Sequence, residues 1–339
     1  MKIIPLDLNQ CIWENLNRPF FVPGYPHQFL LLKIMDPEIQ NPIGFLGRIA
    51  PGSLSSLYPH ENILPEKVQS KSINLRNREI AEKPIFAIFK ETDEIIDHLR
   101  AGFDMGKSLT TYNRRGIMYE LKHTDDPQWG DQLKSLFDTV DNMVIGDGHH
   151  RTAAYNEYLQ KGNKSKGLYT GFFSHQQIAI YSFERRIIIP NEIKLEWWDR
   201  LNTHCEKKQI ETIPDVIQPG RFVCIESNVL WELSWKDKGI SFESSVDTLD
   251  VFLFHKHILS VRPDTRKEEW RKIKIEYVPH LNPTINHKSI NSNLNEFIFI
   301  FAPVPSELLL EESIRGVTMP PKTTWIEPKM TSKIVNVPI

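Results

Sequence analysis

The sequence has little cysteine, no long apolar run and almost no net charge, and each absence excludes a class of protein. Three cysteines among 339 residues, Cys11, Cys205 and Cys224, are too few and too widely spaced for a disulfide framework or a zinc motif. No apolar run approaches the length of a membrane span, and the first ten residues lack the apolar centre of a secretion signal. We therefore expect a cytoplasmic protein without a membrane partner.

The charge balance and the absence of known nucleotide-binding motifs exclude further classes of function. A formal net charge of −2 gives no reason to expect a nucleic-acid partner. The P-loop, the glycine-rich dinucleotide fingerprint and the HExxH zinc motif are all absent. Apolar residues make up 40% of the chain and charged residues 25%, as in an ordinary globular protein with a sizeable core. A catalytic or ligand-binding site in this protein must therefore use a residue pattern other than these three motifs.

Apolar segments and turn residues alternate without a regular βαβ rhythm, which predicts an α+β fold. Strands are predicted at residues 83–90, 116–123 and 142–147, and helices at 91–103 and 131–140. From about residue 178 most apolar segments have the pattern of β-strands. We predict two domains, residues 1–175 and a β-rich α+β region at 176–339.

The most informative stretch is NMVIGDGHHRTAAYNEYLQKG, residues 142–162. A short buried strand runs into a helical pattern that ends at Gly162, so GDGHH occupies a strand-to-helix turn. Unpaired backbone N–H groups and the positive end of the helix dipole at such a turn suit a phosphate or carboxylate. Gly148 permits the tight turn and the close approach of a ligand.

The side chains of this turn strengthen the prediction of an anion site. His149, His150 and Arg151 add hydrogen-bond donors and positive charge, and Asp147 could hold a metal ion or a substrate hydroxyl. The alternative is that Asp147 only caps the helix and that the histidines are ordinary surface residues. Five such residues in a row favour a phosphate site, in which we include Thr152. A metal site made by the two adjacent histidines is disfavoured, because helical neighbours do not face each other.

The stretch VIGDGHHRTAAYNEYLQKG resembles the phosphate-binding turn of the ParB/sulfiredoxin-like superfamily. Within that superfamily it is most similar to the Asp-Gly-His-His-Arg form of free serine kinases, which phosphorylate L-serine with ATP or ADP. The resemblance implies that residues 1–175 form a ParB/sulfiredoxin-like phosphate-binding core. It also implies a nucleotide, ATP or ADP, as cofactor, together with Mg²⁺.

Three motifs in order also resemble a bacterial and archaeal family of unknown function. These are PHENILPEK (59–67), the DGHHR turn, and MPPKTTWIEPKMTSKIV (319–335), which is similar to a Met-Pro-x-Lys-Ser-Thr motif. The chain departs from that family after the turn, where Thr152, Ala153, Ala154 and Tyr155 replace Tyr-Glu-Thr-Ala. Ile63 stands where the family has Thr, and its downstream Asp-Arg is missing, with Lys71 nearest.

The resemblance to serine kinases implies that Glu61 is the general base for the substrate hydroxyl and that His60 orients it or contacts phosphate. A positioned carboxylate can accept the proton of an unactivated hydroxyl as the phosphoryl group moves. Asp147 and His150 are the other predicted catalytic residues, and Asp147 is the predicted contact for Mg²⁺. The alternative is that His60 and Glu61 merely begin a surface loop after Pro59.

The prolines of MPPKTTWIEPK predict a rigid loop at 319–330, which we expect to return to the site. Lys322, Thr323 and Thr324 would then bind the phosphates or their Mg²⁺. The alternative is an ordinary C-terminal arm anchored on the core by Trp325.

The sequence thus predicts a nucleotide-dependent phosphotransferase acting on the hydroxyl of free L-serine or a similar small metabolite, in either direction. The reverse direction would consume phosphoserine. A nucleotide-binding or nucleotide-hydrolysing switch without a small-molecule acceptor is the second hypothesis, and a non-catalytic scaffold is the third. The near-neutral charge argues against a DNA-partition role. Oligomeric state is left open.

Overall fold

The computed structural model describes residues 1–11, 27–37, 39, 41–62, 80–81, 83–114, 116–124, 126–236, 245–260, 268–279, 295–331 and 335–339. The first strands are β1 (Ile3–Ile4), β2 (Leu6–Asp7), β3 (His27–Gln28), β4 (Leu30–Met35), β5 (Ile43–Ile49), β6 (Leu57–Pro59), β7 (Ile80–Ala81), β8 (Ile85–Phe89), β9 (Lys107–Arg114), β10 (Ile117–His123), β11 (Met143–Asp147) and β12 (Leu168–Ser174). The later strands are β13 (Ala179–Tyr181), β14 (Phe183–Ile188), β15 (Cys205–Ile210), β16 (Arg221–Glu226), β17 (Val229–Trp235), β18 (Lys274–Pro279), β19 (Glu296–Phe301), β20 (Trp325–Glu327) and β21 (Val337–Pro338). The helices are α1 (Asp93–Met105), α2 (Pro127–Asp138), α3 (His149–Gln160), α4 (Lys194–His204), α5 (Asp250–Leu253), which continues into a π-helical turn (Phe254–Leu259), and α6 (Ser306–Ile314).

By its internal contacts the chain divides into two units. The first comprises Met1–Ala179, Leu309–Thr318 and Ile326–Ile339, and the second comprises Ile180–Leu308 and Met319–Trp325. The mixture of helices with a mixed sheet and an antiparallel sheet confirms the α+β prediction. The domain boundary predicted between residues 175 and 176 stays a prediction, because these units are defined by contacts and not by independent folding.

A nine-stranded sheet forms the centre of the first unit. Its order is β6-β11-β8-β12-β5-β4-β10-β9, with β1 paired to β5. The pairs β6/β11 and β8/β12 are parallel, and the remaining neighbours are antiparallel. Every residue of β12 is buried, as expected for a strand that is covered on both faces.

Helices α1 and α2 cover one face of this sheet because each presents an apolar stripe. In α1 the buried positions Ile95, Ile96, Leu99 and Phe103 recur at the helical spacing. The helix begins after Thr92, whose Oγ1 accepts from the N–H of Ile95 at 3.4 Å. Aromatic rings of the sheet and of α2 pack against one another. The ring centroids are 4.5 Å apart for Phe45–Phe172, 5.0 Å for Phe45–Phe137 and 5.1 Å for Phe89–Phe137.

The second unit is built on a six-stranded antiparallel sheet of order β15-β17-β16-β19-β14-β18. Its side chains alternate between two faces, as the pleat of a strand requires. In β16, Phe222 and Cys224 contact a core that includes Trp197 of α4, whereas Val223 and Ile225 contact a second cluster on the opposite face. Among the described residues, no helix is long and apolar enough to cross a membrane.

Replacing Trp197 by alanine should destabilise the second unit strongly. The side chain is fully buried, and its ring lies 5.8 Å from that of Phe297 and 5.9 Å from that of Trp270. We expect Trp197→Ala to lower the free energy of unfolding by about 3–5 kcal/mol in urea titrations followed by circular dichroism. Leu195 lies on the same helix but is 83% exposed. A comparable loss in Leu195→Ala would contradict the core assignment, since exposed positions change stability by no more than about 0.5 kcal/mol.

Candidate functional site

Strand pairing brings three distant segments to one edge of the first unit's sheet. Strands β6 and β11 are parallel, with Pro59 paired to Ile145, so the residues that follow both strands meet at the same edge. Strand β8 is antiparallel to β11, with Phe86 paired to Asp147, so the residues that precede β8 meet there as well. This edge therefore collects residues 60–61, 147–151 and 83–84.

The strand-to-helix turn predicted at Gly148 is present and begins helix α3. Gly148 has φ +104°, and its carbonyl accepts from the N–H groups of Arg151 and Thr152, both at 2.9 Å. The Thr152 hydroxyl is buried and donates to the same carbonyl at 3.2 Å. Among the described residues no side chain caps the helix, and Asp147 accepts from Lys83 and Arg151 instead, so the predicted alternative in which Asp147 acts only as a cap is wrong. Because α3 begins at His149, directly after β11 and Gly148, its first turn lies at the same sheet edge.

Arg151 holds this turn to the strand beside it. Its Nη1 donates to the carbonyls of Lys83 (2.9 Å) and Pro84 (2.6 Å), and its Nη2 donates to Oδ2 of Asp147 (3.1 Å). A Cβ on Gly148 would lie 2.9 Å from Nη2 of Arg151, so the guanidinium packs directly against the glycine. The sequence predicted a guanidinium available to a ligand; the structure shows one bound to the protein's own groups.

Asp147 is an ionised carboxylate surrounded by cations. Its Oδ2 accepts from Lys83 Nζ at 2.9 Å as well as from Arg151. Burial by itself would raise the pKa of Asp147, but Arg151, Lys83 and Lys329 lower that pKa to about 2. Three cations therefore act on the Asp147 carboxylate, although Glu61 and Glu327 also act on Lys329.

The two histidines at the sheet edge are neutral. His60 is buried, and its Nδ1 lies 2.6 Å from the carbonyl of Ile145, which assigns the proton to Nδ1 and leaves Nε2 unprotonated. The backbone N–H of His60 donates to Nε2 of His149 at 3.3 Å, and the two rings lie 4.5 Å apart at 76°. Burial lowers the pKa of His60 to about 4 and that of His149 well below its usual range. The expectation that His149 adds positive charge is therefore wrong, because its imidazole is desolvated and its Nε2 already accepts a hydrogen bond.

Glu61 directly follows His60 and reaches the same cluster. Its Oε1 lies 3.8 Å from Nε2 of His60, and its side chain is 24% exposed. Because His60 is neutral, this contact is not an ion pair. The carboxylate is therefore partly accessible to a ligand and stands beside the start of α3.

Lys83 and Lys329 belong to the site, although the sequence pattern did not single them out. Lys329 is half-buried, which lowers its pKa, while Asp147, Glu327 and Glu61 act in the opposite direction. Its backbone is held on the sheet, since its carbonyl accepts from the hydroxyl of Tyr119 at 3.4 Å. The second lysine of MPPKTTWIEPK was a visible signal for Lys329. Lys83 carried no signal other than its position before a strand.

The remaining predicted residues are His150 on α3 and three residues of the second unit. His150 is half-buried in the first turn of α3. Lys322, Thr323 and Thr324 belong to the second unit, where Nζ of Lys322 lies 5.3 Å above the ring of Phe183 and the hydroxyl of Thr323 donates to the carbonyl of Pro320 at 2.7 Å. Ile63 and Lys71 lie outside the described residues.

The chemistry of the donor set indicates which ions this edge can hold. Within the described part of the chain, no group of three or more His, Cys, Asp or Glu side chains could hold a metal ion. The side chains at the sheet edge are instead two lysines, an arginine and two neutral imidazoles around Asp147. The arrangement combines cations of suitable chemistry for an anion with one partly exposed carboxylate, Glu61.

The chain belongs to the family described as protein of unknown function (DUF1015), which matches residues 38–252. The expected membership of a family of unknown function is thereby confirmed, whereas the relation to the ParB/sulfiredoxin-like superfamily stays a prediction. No curated protein matches this sequence significantly.

Several solved structures are similar to this chain at low identity. SbnI with a C-terminal truncation, from Staphylococcus aureus, is 10% identical over 86% of this chain and 87% of its own, with a TM-score of 0.46. A conserved hypothetical protein from Pyrococcus furiosus is 14% identical over 82% of this chain and 92% of its own, with a TM-score of 0.39. A free serine kinase in complex with AMP is 13% identical over 92% of this chain and 96% of its own, with a TM-score of 0.40.

Replacing Gly148 by alanine should destabilise the first unit and displace Arg151. The new Cβ would lie 2.9 Å from both Arg151 Nη2 and Ile85 Cγ2, at a backbone φ that non-glycine residues rarely adopt. We expect a loss of about 2–4 kcal/mol in urea unfolding. The matched control is Gly162→Ala at the other end of α3, where φ is +81° but no atom lies within 4 Å of the new Cβ. That variant should lose only about 1 kcal/mol, and equal losses in the two variants would show that the close packing at Gly148 is unimportant.

Stability should fall on acidification because His60 is buried in its neutral form. The pKa of His60 drops from 6.5 to about 4 on folding, so between these values the unfolded chain binds a proton that the folded chain does not. The free energy of unfolding should therefore decrease as the pH falls from 6.5 towards 4, by up to about 1.4 kcal/mol per pH unit for this group. Urea titrations at pH 7 and pH 5 should show a smaller decrease in His60→Gln than in the wild type. His27→Gln, at an exposed position, should behave as the wild type does.

Proposed function

We propose that this protein is a nucleotide-dependent phosphotransferase that acts on the hydroxyl of a small metabolite, with free L-serine as the first candidate acceptor. One observation carries the proposal. The parallel pairing of β6 and β11 joins a partly exposed carboxylate, Glu61, to an uncapped helix start flanked by cations. Phosphoryl transfer needs these two elements, charge neutralisation and a proton acceptor, next to each other.

In the proposed reaction the phosphates of ATP or ADP bind at the start of α3. The backbone N–H groups there, together with Lys83 and Lys329, neutralise the transferred group. Glu61 accepts the proton of the acceptor hydroxyl while the hydroxyl oxygen attacks the terminal phosphorus of the nucleotide. The bond from that phosphorus to the bridging oxygen breaks, and the shortened nucleotide leaves with the bond electrons. The reverse reaction, from phosphoserine, uses the same groups.

Other residues have positioning or binding roles in this proposal. Arg151 and Asp147 hold the turn, and the neutral His149 fixes the backbone of His60, so that Glu61 projects towards the phosphates. Thr152 closes the first turn through the Gly148 carbonyl. His150 on α3 is proposed to contact the transferred group, as the sequence predicts. Residues 1–175 would constitute the ParB/sulfiredoxin-like core.

Mg²⁺ would supply further neutralisation between the phosphates. Asp147 has suitable chemistry for it, but its Oδ2 already binds Lys83 and Arg151. We therefore assign the ion mainly to phosphate oxygens. Lys322, Thr323 and Thr324 are proposed to bind a nucleotide phosphate, as the sequence predicts.

The direct test is to incubate the purified protein with L-serine, Mg²⁺ and either ATP or ADP, and to measure phosphoserine by mass spectrometry. Glu61→Gln should reduce turnover at least about 100-fold, because the amide cannot accept the proton. Nucleotide affinity measured by calorimetry should change little. Glu94→Gln, at an exposed position in the first turn of α1, is the matched control and should retain wild-type turnover.

Three outcomes would contradict parts of the proposal. Full activity in Glu61→Gln would eliminate Glu61 as the base. Nucleotide hydrolysis with no transfer to serine or to any member of a panel of hydroxylated metabolites would favour a nucleotide-hydrolysing switch. Absence of nucleotide binding at millimolar concentration would reject the nucleotide site itself.

A further inference from the structure

Arg185 is a buried cation for which the described residues supply no carboxylate partner. It lies in β14 of the second unit, and its side chain has no solvent exposure. Its guanidinium contacts two carbonyls, the imidazole of His255 and the rings of Phe301 (4.9 Å) and Tyr277 (5.5 Å). Burial lowers the pKa of Arg185 to about 10, so it remains charged at neutral pH. Burying a charge without a counter-ion costs stability, and an apolar side chain of similar volume would be more favourable here.

One of the three hydrogen bonds of Arg185 reaches the loop of residues 319–325. Its Nη2 donates to the carbonyl of Lys322 (3.4 Å), and its Nη1 donates to the carbonyl of Phe183 (3.0 Å). The ring of Phe183 in turn contacts the loop, lying 5.3 Å from Nζ of Lys322 and 5.8 Å from the ring of Trp325. Arg185 thus joins the start of β14 to the backbone of Lys322.

The backbone of Lys322 needs such support, because its φ is +60°. A non-glycine residue in the left-handed region costs about 1 kcal/mol or more, and the surrounding structure must hold it there. His255, in the π-helical turn after α5, completes the arrangement by accepting from Nε of Arg185 at 3.4 Å. Its Nε2 is unprotonated, since burial and the Arg185 charge lower the pKa of His255 to about 4.

We propose that Arg185, held by His255, is a positioning residue that keeps Lys322 in its left-handed conformation and so fixes the Lys322 ammonium for binding a nucleotide phosphate. The nucleotide part of this inference rests on the proposed function. The positioning part concerns only contacts within the second unit and can be tested without any ligand.

The test without ligand is tryptic cleavage of the Lys322–Thr323 bond in the folded protein, followed by mass spectrometry. Arg185→Met should be cleaved there several-fold faster than the wild type, with no change at the exposed Lys161 in the first unit. Arg186→Met is the matched control. Arg186 is the next residue of β14, is 36% exposed and contacts Glu184. The Arg186→Met variant should therefore be cleaved after Lys322 at the wild-type rate.

Arg185→Lys keeps the charge but lacks the planar fork, so it cannot make all three hydrogen bonds. It should be cleaved at an intermediate rate, and it keeps the inference testable if Arg185→Met fails to fold. A wild-type cleavage rate at Lys322 in either folded variant would overturn the positioning role.

The test with ligand compares Arg185→Met and Lys322→Met singly and together. Each single variant should raise the KM for the nucleotide by ~10-fold, as expected for loss of one charge-assisted contact, with little change in kcat. If Arg185 acts through Lys322, the double variant should be no worse than Lys322→Met alone. If the effects of the two single variants on KM add in the double variant, Arg185 does not act through Lys322. Faster cleavage in a protein that binds no nucleotide would support the positioning role and reject the proposed function.

Discussion

The parallel pairing of β6 with β11 is the constraint on which the candidate site depends. Parallel strands place their carboxyl ends at one edge, and here those ends carry Glu61 and the Gly148 turn, which are more than 80 residues apart in sequence. A single hydrogen bond from the His60 backbone to His149 marks the point where they meet. If these strands were antiparallel neighbours, the carboxylate and the helix start would lie at opposite edges.

His60 and His149 serve this pairing through geometry and not through charge. Each has its proton on Nδ1, which leaves Nε2 as an acceptor, and for His149 that acceptor binds the neighbouring segment. Positive charge at the edge comes instead from Lys83, Arg151 and Lys329 around the carboxylate of Asp147. The cations differ in accessibility, because Arg151 is occupied by backbone carbonyls whereas the side chain of Lys83 is 35% exposed.

Local pattern predicted some elements well and others not at all. The turn at Gly148 was predictable, since its glycine, the preceding apolar run and the following helix formers all act over a few residues. The role of Arg151 was not, because its contacts with Lys83 and Pro84 cross about 67 residues of sequence. The neutral state of His149 was also unpredictable, since a histidine pKa depends on burial and on neighbours brought in by other strands.

The sequence by itself determined the α+β class, the strand-to-helix turn at Gly148, and membership of a family of unknown function. These depend on apolar periodicity, on glycine's access to positive φ and on short motifs, all of which are local properties. Tertiary structure alone decided that Lys83 and Lys329 surround Asp147 and that Arg151 faces inwards. It also decided that Arg185 holds the backbone of Lys322. The physical reason is that strand order and register set these distances, and neither is encoded within any one segment of the chain.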